Sequence, residues 1–198
     1  MTAITPAKTK QQLKDVFGGV GTLIYDKADL KIAKGGTSAS AKEITLPTTG
    51  IELPVAVDSF TLTQAAPTIN HYKVLGMDGD WFATSESGDI EMSLDVPTKH
   101  SDILKVLYGD DAVSDLKVST TWEGAGLILN KKAITGTFFL INEEEDQIMI
   151  LNNIKLWASP SYENGSTEPF KFTLTGTMTV ADQAGDECNF AWLKKKSA

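Results

Sequence analysis

Cysteine and histidine are scarce in this chain, which limits the disulfides and metal sites that it can form. Its 198 residues include one cysteine, Cys188, and two histidines, His71 and His100. A single cysteine excludes an internal disulfide framework and a cysteine-rich metal site. The two histidines do not have the H-x-H or H-E-x-x-H spacing of zinc motifs. The sequence therefore predicts neither a metal site nor a disulfide-stabilised fold.

Motifs of catalysis are missing as well. No G-x-S-x-G nucleophile elbow occurs, and Gly18, Gly19 and Gly21 lack the Gly-Lys-Ser/Thr ending of a phosphate-binding loop. Asp78 and Asp80 supply only part of a calcium loop, so a hairpin turn around Asp-Gly is the favoured interpretation. We therefore predict a protein that is not an enzyme and that binds no cofactor.

Basic charge and long apolar runs are also lacking. Lysine and arginine number 18 against 26 aspartate and glutamate residues, giving a formal net charge of -8 and an isoelectric point near 4.8. This balance argues against nucleic-acid binding through phosphate contacts, which needs clustered basic side chains. No apolar run is long enough to span a bilayer, and the N-terminus lacks the apolar core of a signal peptide. The expected compartment is a cytoplasm, with no membrane partner.

The clearest pattern that is present lies in residues 88–109, GDIEMSLDVPTKHSDILKVLYG. Apolar and polar residues alternate in its first half, as in a half-buried strand, and the apolar ones are Ile90, Met92, Leu94 and Val96. Pro97 ends this strand because it has no N–H to donate, and Thr98 is the predicted N-cap of a short helix. The helix carries an apolar stripe that we expect to pack on the apolar face of the strand: Ile103, Leu104 and Leu107.

The remaining segments indicate short strands separated by turn residues. A short helix is predicted at 9–17, strands at 20–25, 44–46, 51–57, 59–63 and 116–122, and a hairpin around Asp78-Gly79. A second hairpin joins 133–141 to 148–157 across an acidic loop, and 170–180 is the most regular strand. The pattern predicts a mainly-β (α+β) fold: an antiparallel two-sheet β-sandwich or barrel with one short amphipathic helix packed on it.

One domain is expected over residues 1–198, with a loose N-terminal arm at 1–17 and a C-terminal extension at 181–198. Two segments rich in small residues, 34–43 and 159–168, are predicted to be loops because they offer no apolar anchor. The first of them contains Gly35, Gly36, Thr37 and Ser38.

Two stretches of the chain resemble the tail tube (major tail) proteins of long-tailed bacteriophages. The first is the alternating strand at 89–96 with the helix end at 103–109, which has the pattern L-x-x-L-[FY]-G. The second is the strand at 170–180, which has the pattern F-x-F-T-x-x-G. The order of parts, with one helix between two groups of strands and two long loops, agrees with the resemblance. The tube proteins of type VI secretion and contractile injection systems are similar in fold.

This resemblance implies homohexameric rings that stack into a tube and conduct DNA during ejection. The implied location is the virion tail, after assembly in the host bacterial cytoplasm. The implied partners are further copies of the chain and the tape measure, terminator and baseplate proteins, with DNA only as transient cargo. In such a tube, the outward carboxylates Asp89, Glu91 and Asp95 are the candidate lumen-facing residues, and Gly35 to Ser38 form the candidate inter-ring loop. An outer, solvated face is the alternative for the carboxylates.

Two other classes of function remain open for the sequence. A surface- or carbohydrate-binding β-sandwich would stay monomeric and expose an aromatic platform, for which the candidates are Trp81, Trp122, Trp157 and Trp192. A small-molecule carrier would enclose a pocket lined by the apolar faces of its strands. A tube protein, by contrast, is expected to form rings or polymers and to have no such pocket.

Overall fold

The structure is a computed structural model that describes residues 17–28, 30, 32, 44, 46, 50–56, 58–76, 78–129, 132–162, 169–179 and 188–195. Within these residues the chain forms twelve β-strands, one α-helix and one 3-10 turn. Every strand pair in this part of the chain is antiparallel. The curled antiparallel sheets and the single short helix confirm the predicted mainly-β fold.

Eight strands form one continuous curled sheet. They are β1 (Val20–Asp26), β2 (Ile51–Leu53), β3 (Thr61–Gln64), β6 (Ile90–Val96), β9 (Ala133–Asn142), β10 (Gln147–Ser161), β11 (Lys171–Met178) and β12 (Phe190–Lys194). Their order across the sheet is β2-β1-β9-β10-β11-β6-β3, and β12 pairs with β10. In this order, β1 pairs with β9, although the two strands are more than 100 residues apart in the sequence.

The other four strands form two separate hairpins. The first consists of β4 (Thr68–Tyr72) and β5 (Phe82–Glu86), and the second of β7 (Val113–Val118) and β8 (Trp122–Leu127). The helix α1 (Ser101–Tyr108) follows β6, and a 3-10 turn at Asp110–Ala112 connects it to β7. Neither hairpin hydrogen-bonds to the large sheet within the described residues.

The main core covers one face of the curled sheet and follows the alternation of the strands. In β6, Met92, Leu94 and Val96 are buried, whereas Glu91 is exposed. The other strands add further buried side chains to the same cluster: Leu23, Phe138, Leu140, Leu151, Leu156, Phe172 and Leu174. Each fully buried side chain of this size stabilises the fold by about 1.5–3 kcal/mol relative to its exposure.

A smaller cluster covers the opposite face of β9 and β10. Ile32, Phe139 and Ile150 are buried there, with Cys188 and Leu193 packed against them. Because both faces of the two strands are covered, the central parts of β9 and β10 are apolar at consecutive positions. The structure thus places Cys188 among packing residues.

The helix begins two residues later than predicted from its expected N-cap, Thr98. Its N-cap is His100, whose Nδ1 accepts a hydrogen bond from the Asp102 N–H, and the hydroxyl oxygen of Thr98 accepts instead from the His100 N–H. The prediction of Thr98 as N-cap was therefore wrong. The helix ends at Gly109, which has a φ of 91° and donates its N–H to the Lys105 carbonyl. Glycine adopts this backbone conformation without the steric cost of a Cβ.

The apolar stripe of the helix is placed as expected on its buried side. Leu104 and Leu107 are buried and Ile103 packs against the core at partial exposure. The helix lies mainly against strands β7 to β10. Its apolar stripe and the apolar residues of β6 belong to the same core cluster, but β6 is not the main packing partner of the helix. Tyr108, which the stripe did not include, is also buried and contacts Phe172 edge-on at 5.8 Å between ring centroids.

Four predicted segments differ from the structure. Residues 116–122 form not one strand but the two arms of the β7–β8 hairpin, and the strand predicted at 51–57 stops at Leu53 before Pro54. Residues 159–161, predicted to be loop, extend β10 and pair with β11. The C-terminal extension contains β12, which pairs with the first half of β10.

Several predictions concern residues outside those that the structure describes. These are the N-terminal arm up to residue 16 with most of the predicted helix 9–17, the inter-ring loop Gly35 to Ser38, and the loop residues 163–168. In the described part of the chain, no helix is long and apolar enough to cross a membrane.

Candidate functional site

The β7–β8 hairpin turns an apolar face toward solvent. Val113, Ala125 and Leu127 belong to the main core cluster, so the face that they share points inward. Alternation along a strand puts the neighbouring residues on the other face. The exposed side chains on that face are Leu116 at 53%, Val118 at 67% and Trp122 at 72%. A two-stranded sheet is only marginally stable alone, so this exposed apolar face indicates a contact surface.

The β4–β5 hairpin exposes aromatic side chains. Tyr72 and Phe82 lie opposite each other in the register, with ring centroids 5.8 Å apart, and Trp81 lies 6.4 Å from Phe82. All three are more than half exposed. At the hairpin tip, Leu75 is fully exposed beside Gly76. This hairpin is therefore a second candidate contact surface, and the sequence predicted its turn but not its exposure.

A polar face occupies the other side of strands β6 and β11. We call it the threonine face, and its members are Glu91, Ser93, Asp95, Lys171, Thr173, Thr175 and Thr177. The register aligns Glu91 with Thr177 and then Lys155 of β10 in one row across the sheet. Asp89, which precedes β6, is exposed on the same side by alternation. The three predicted carboxylates thus share one face, as the alternation indicated.

Lysines reduce the negative charge of this face. Lys171 makes an ion pair with Asp95, with 2.9 Å between Nζ and Oδ2, and Lys155 lies over the ring of Trp157. Two lysines against three carboxylates leave one uncompensated negative charge. The sequence could not predict this compensation, because the lysines belong to strands whose register with β6 is set by the folded sheet.

Asp95 is held in its ionised form by two neighbours. Burial by itself would raise the pKa of Asp95, but hydrogen bonds from Lys171 and from the Thr173 hydroxyl, together with the Lys171 charge, bring it below its usual value of 3.8. The Thr173 oxygen lies 2.7 Å from Asp95 Oδ1. Asp95 therefore has a structural role that Asp89 and Glu91, both exposed, do not share.

We expect Asp95→Asn to lower the free energy of unfolding at neutral pH by about 1 kcal/mol. Because the folded-state pKa lies below the unfolded one, the ion pair stabilises the protein above about pH 4 and is lost as the pH falls through the folded pKa. The variant should therefore lose less stability than the wild type on acidification through this range. Urea unfolding at a series of pH values measures the difference. Asp89→Asn is the control, and identical acid dependence of Asp95→Asn and wild type would contradict the assignment.

The two histidines lie in unrelated places. His71 is on β4 and its Nδ1 contacts a carboxylate oxygen of Asp80 across the β4–β5 hairpin, whereas His100 caps the helix. This contact connects the two ends of the loop between β4 and β5. Among the described residues, no three histidine, cysteine or acidic side chains are grouped so that they could hold a metal ion.

An open cleft of approximately 750 Å³ lies between the end of the helix and strands β1 and β9. Its lining combines charges of both signs, with Lys27, Lys105 and Lys132 beside Asp26, Asp110 and Asp111. A carrier pocket was expected to be lined by the apolar alternation of the strands. Charged side chains share this open lining with apolar ones such as Val106, Leu107 and Ile134, so the cleft matches that expectation only in part.

No protein-family model, no curated protein and no solved structure matches this chain. The functional argument therefore depends on the residues and surfaces themselves.

The β7–β8 hairpin is a candidate contact surface that the sequence did not indicate. Its turn consists of Ser119, Thr120 and Thr121, without the glycine or proline that usually marks a hairpin turn. Ser119 instead adopts a φ of 57°. The glycines Gly124 and Gly126 are the one signal that could have indicated an unusual strand at this position.

Proposed function

We propose that this protein is the structural subunit of a bacteriophage tail tube, forming homohexameric rings that stack into a DNA-conducting tube. The observation that supports the proposal is the pair of hairpins, β4–β5 and β7–β8, which both expose bulky apolar side chains. Hairpins of this kind gain stability when a partner covers them. A subunit with two such surfaces can contact two neighbours, and repetition of the contact can close into a ring.

The ends of the large sheet are consistent with the same proposal. Its terminal strands are β2, with three residues, and β3, with four. An unpaired strand edge is a template for pairing with another chain. In a closed ring, neighbours cover these edges and the assembly stops at a defined size, whereas an open arrangement would continue to add copies.

In the proposed tube, the threonine face is the candidate lining of the lumen. Hydroxyl groups and a small net negative charge offer DNA few cations, so phosphate contacts would be weak. DNA would thus remain a transient cargo chiefly because positive charge is not in excess, rather than because of a strong negative field. The further partners that follow from the proposal are the tape measure, terminator and baseplate proteins, and its location is the virion tail.

A second candidate function is a carbohydrate- or surface-binding module. The aromatic group of Tyr72, Trp81 and Phe82 favours it, because exposed aromatic rings stack on sugars and other flat apolar surfaces. The two candidates differ in oligomeric state. A binding module works as a monomer, whereas a tube subunit must assemble.

We expect the purified protein to form rings and hollow tubes in negative-stain electron microscopy, with six-fold symmetry in averaged end views. Light scattering should give a ring mass of six subunits of 21.4 kDa each. Because the chain is strongly acidic, assembly should increase with ionic strength as salt screens the repulsion between subunits. A protein that stays monomeric at high concentration and high salt would contradict the tube proposal, and glycan binding by that monomer would favour the module.

A further inference from the structure

The loop between β4 and β5 contains the dipeptide Asp78-Gly79, the single Asp-Gly pair in the sequence. Both residues are exposed, and neither belongs to a strand. Gly79 has a φ of 134°, and a Cβ added to it would meet no atom of the described residues within 4 Å. The backbone nitrogen of Gly79 therefore lies in open space next to the carboxyl group of Asp78.

Two contacts close the loop around this dipeptide. The Trp81 N–H donates a hydrogen bond to the Tyr72 carbonyl at 2.9 Å, and Nδ1 of His71 contacts a carboxylate oxygen of Asp80. The register of β4 and β5 ends at the pair of Tyr72 and Phe82, so the dipeptide lies outside the strand ladder. Loop backbone of this kind samples more conformations than a paired strand does. The Gly79 nitrogen can thus approach the Asp78 carboxyl carbon without breaking a ladder hydrogen bond.

We propose that Asp78 is a site of spontaneous conversion to isoaspartate. The Gly79 nitrogen attacks the carboxyl carbon of Asp78 in its neutral acid form, a C–N bond forms, and one water leaves, which gives a five-membered cyclic imide. Water then adds to one of the two ring carbonyls and breaks one C–N bond. One cleavage restores aspartate, and the other gives isoaspartate, whose main chain runs through the side-chain carbon. Water is the one co-reactant, and no oxidant or reductant is needed.

The other aspartates do not combine these properties. Each is followed by a residue that has a Cβ, which crowds the attacking nitrogen; glycine has none. Asp89 and Asp95 also lie at or within β6, where the ladder fixes the backbone. The carboxylate of Asp95 is in addition held by Lys171 and Thr173. The structure therefore singles out Asp78 as the reactive aspartate.

The product changes the loop, because isoaspartate adds one methylene group to the main chain. The contact of His71 with Asp80 closes this loop two residues after Asp78, so the added length displaces Asp80 from His71. The conversion thus loosens the end of the hairpin that exposes Tyr72 and Phe82. It is independent of tube assembly, and failure of either proposal leaves the other standing.

Incubation of the purified protein in mildly acidic buffer made with heavy-oxygen water tests the site. Trypsin then releases the peptide 74–99, which contains Asp78 and three other aspartates. Fragmentation in the mass spectrometer should place the heavy oxygen and the isoaspartate at Asp78, with conversion at least about tenfold faster than at the other three. Asp78→Glu is the matched control, because it keeps the charge but would need a six-membered imide, which closes far more slowly. Equal conversion at all four aspartates, or an unchanged Asp78, would overturn the proposal.

Hydrogen exchange measures the effect on the loop. The Trp81 N–H should exchange faster in the incubated wild type, in proportion to its isoaspartate content, because the loop closure weakens. The Asp78→Glu protein, incubated in the same way, should keep the exchange rate of the fresh protein. The same Trp81 exchange rate in converted and fresh wild type would overturn the proposed effect on the hairpin.

Discussion

Replacing Gly136 with alanine should lower the free energy of unfolding by about 4 kcal/mol, or prevent stable folding. Gly136 lies in β9 with a φ of 149°, a conformation that residues with a Cβ rarely adopt. A Cβ at this position would also collide with the carbonyl oxygen of Asp26, at the end of β1. Strands β1 and β10 hold β9 on both sides, so its backbone has no room to move.

Gly124→Ala is the matched control for this prediction. Gly124 is also in a strand, but the added Cβ meets no atom within 4 Å, and its φ is not in the positive range. The control variant should equal the wild type in stability or exceed it by about 0.5–1 kcal/mol, because alanine loses less conformational entropy on folding. Urea unfolding of both proteins measures the difference. Equal stability of the two variants would show that Gly136 is not strained.

The second large effect is expected from Asn152→Leu, which should lower the free energy of unfolding by about 2–4 kcal/mol. Asn152 is 1% exposed and lies at the bulge of β10. Its Oδ1 accepts hydrogen bonds from the Leu30 N–H at 3.0 Å and the Thr137 hydroxyl at 2.7 Å, and its Nδ2 donates to the Leu30 carbonyl. Leucine has a similar volume but offers no polar atom, so the partly buried Leu30 carbonyl would lose the hydrogen bond that Asn152 donates.

Asn70→Thr serves as the control, since Asn70 is exposed on β4 and its replacement should change the stability by no more than about 0.5 kcal/mol. Chemical unfolding with both variants at neutral pH separates the two effects. The prediction fails if Asn152→Leu unfolds at the same urea concentration as Asn70→Thr. A destabilised Asn152→Leu would establish that the polar network attaches the chain at Leu30 to the outer face of the large sheet.

Strand β10 changes its pairing partner and has a bulge at the position of Asn152. Its first half pairs with β12 and its second half with β11, and the change of partner occurs at Asn152 and Asn153. Asn153 adopts a φ of 54°, which asparagine tolerates better than most residues. A bulge of this kind bends a strand and increases its twist. The fold thus places a polar network and a bend at one point in the middle of its longest strand.

Local sequence patterns determined most of the individual elements. The alternation of 90–96 predicted a half-buried strand and Pro97 its end, because a period of two reflects which side chains can reach the core. The apolar spacing of Leu104 and Leu107 predicted the buried side of the helix for the same reason. Asp-Gly marked the β4–β5 turn and the acidic run at 143–146 the turn between β9 and β10. Each of these sequence signals lies within a few residues of the strand, helix or turn that it predicts.

Tertiary structure decided what depends on distant residues. Lys171 neutralises Asp95 only because β11 pairs with β6 in one register, and no local pattern encodes the alignment of strands 76 residues apart. The exposure of Leu116, Val118 and Trp122 depends on where the hairpin lies, since apolar residues in a strand are equally consistent with a core. Sequence alone therefore predicted most of the strands and their apolar faces, but it missed β12 and the two arms of the β7–β8 hairpin. The folded sheet decided which of those faces are covered and which remain open to a partner, because burial is a property of the whole chain.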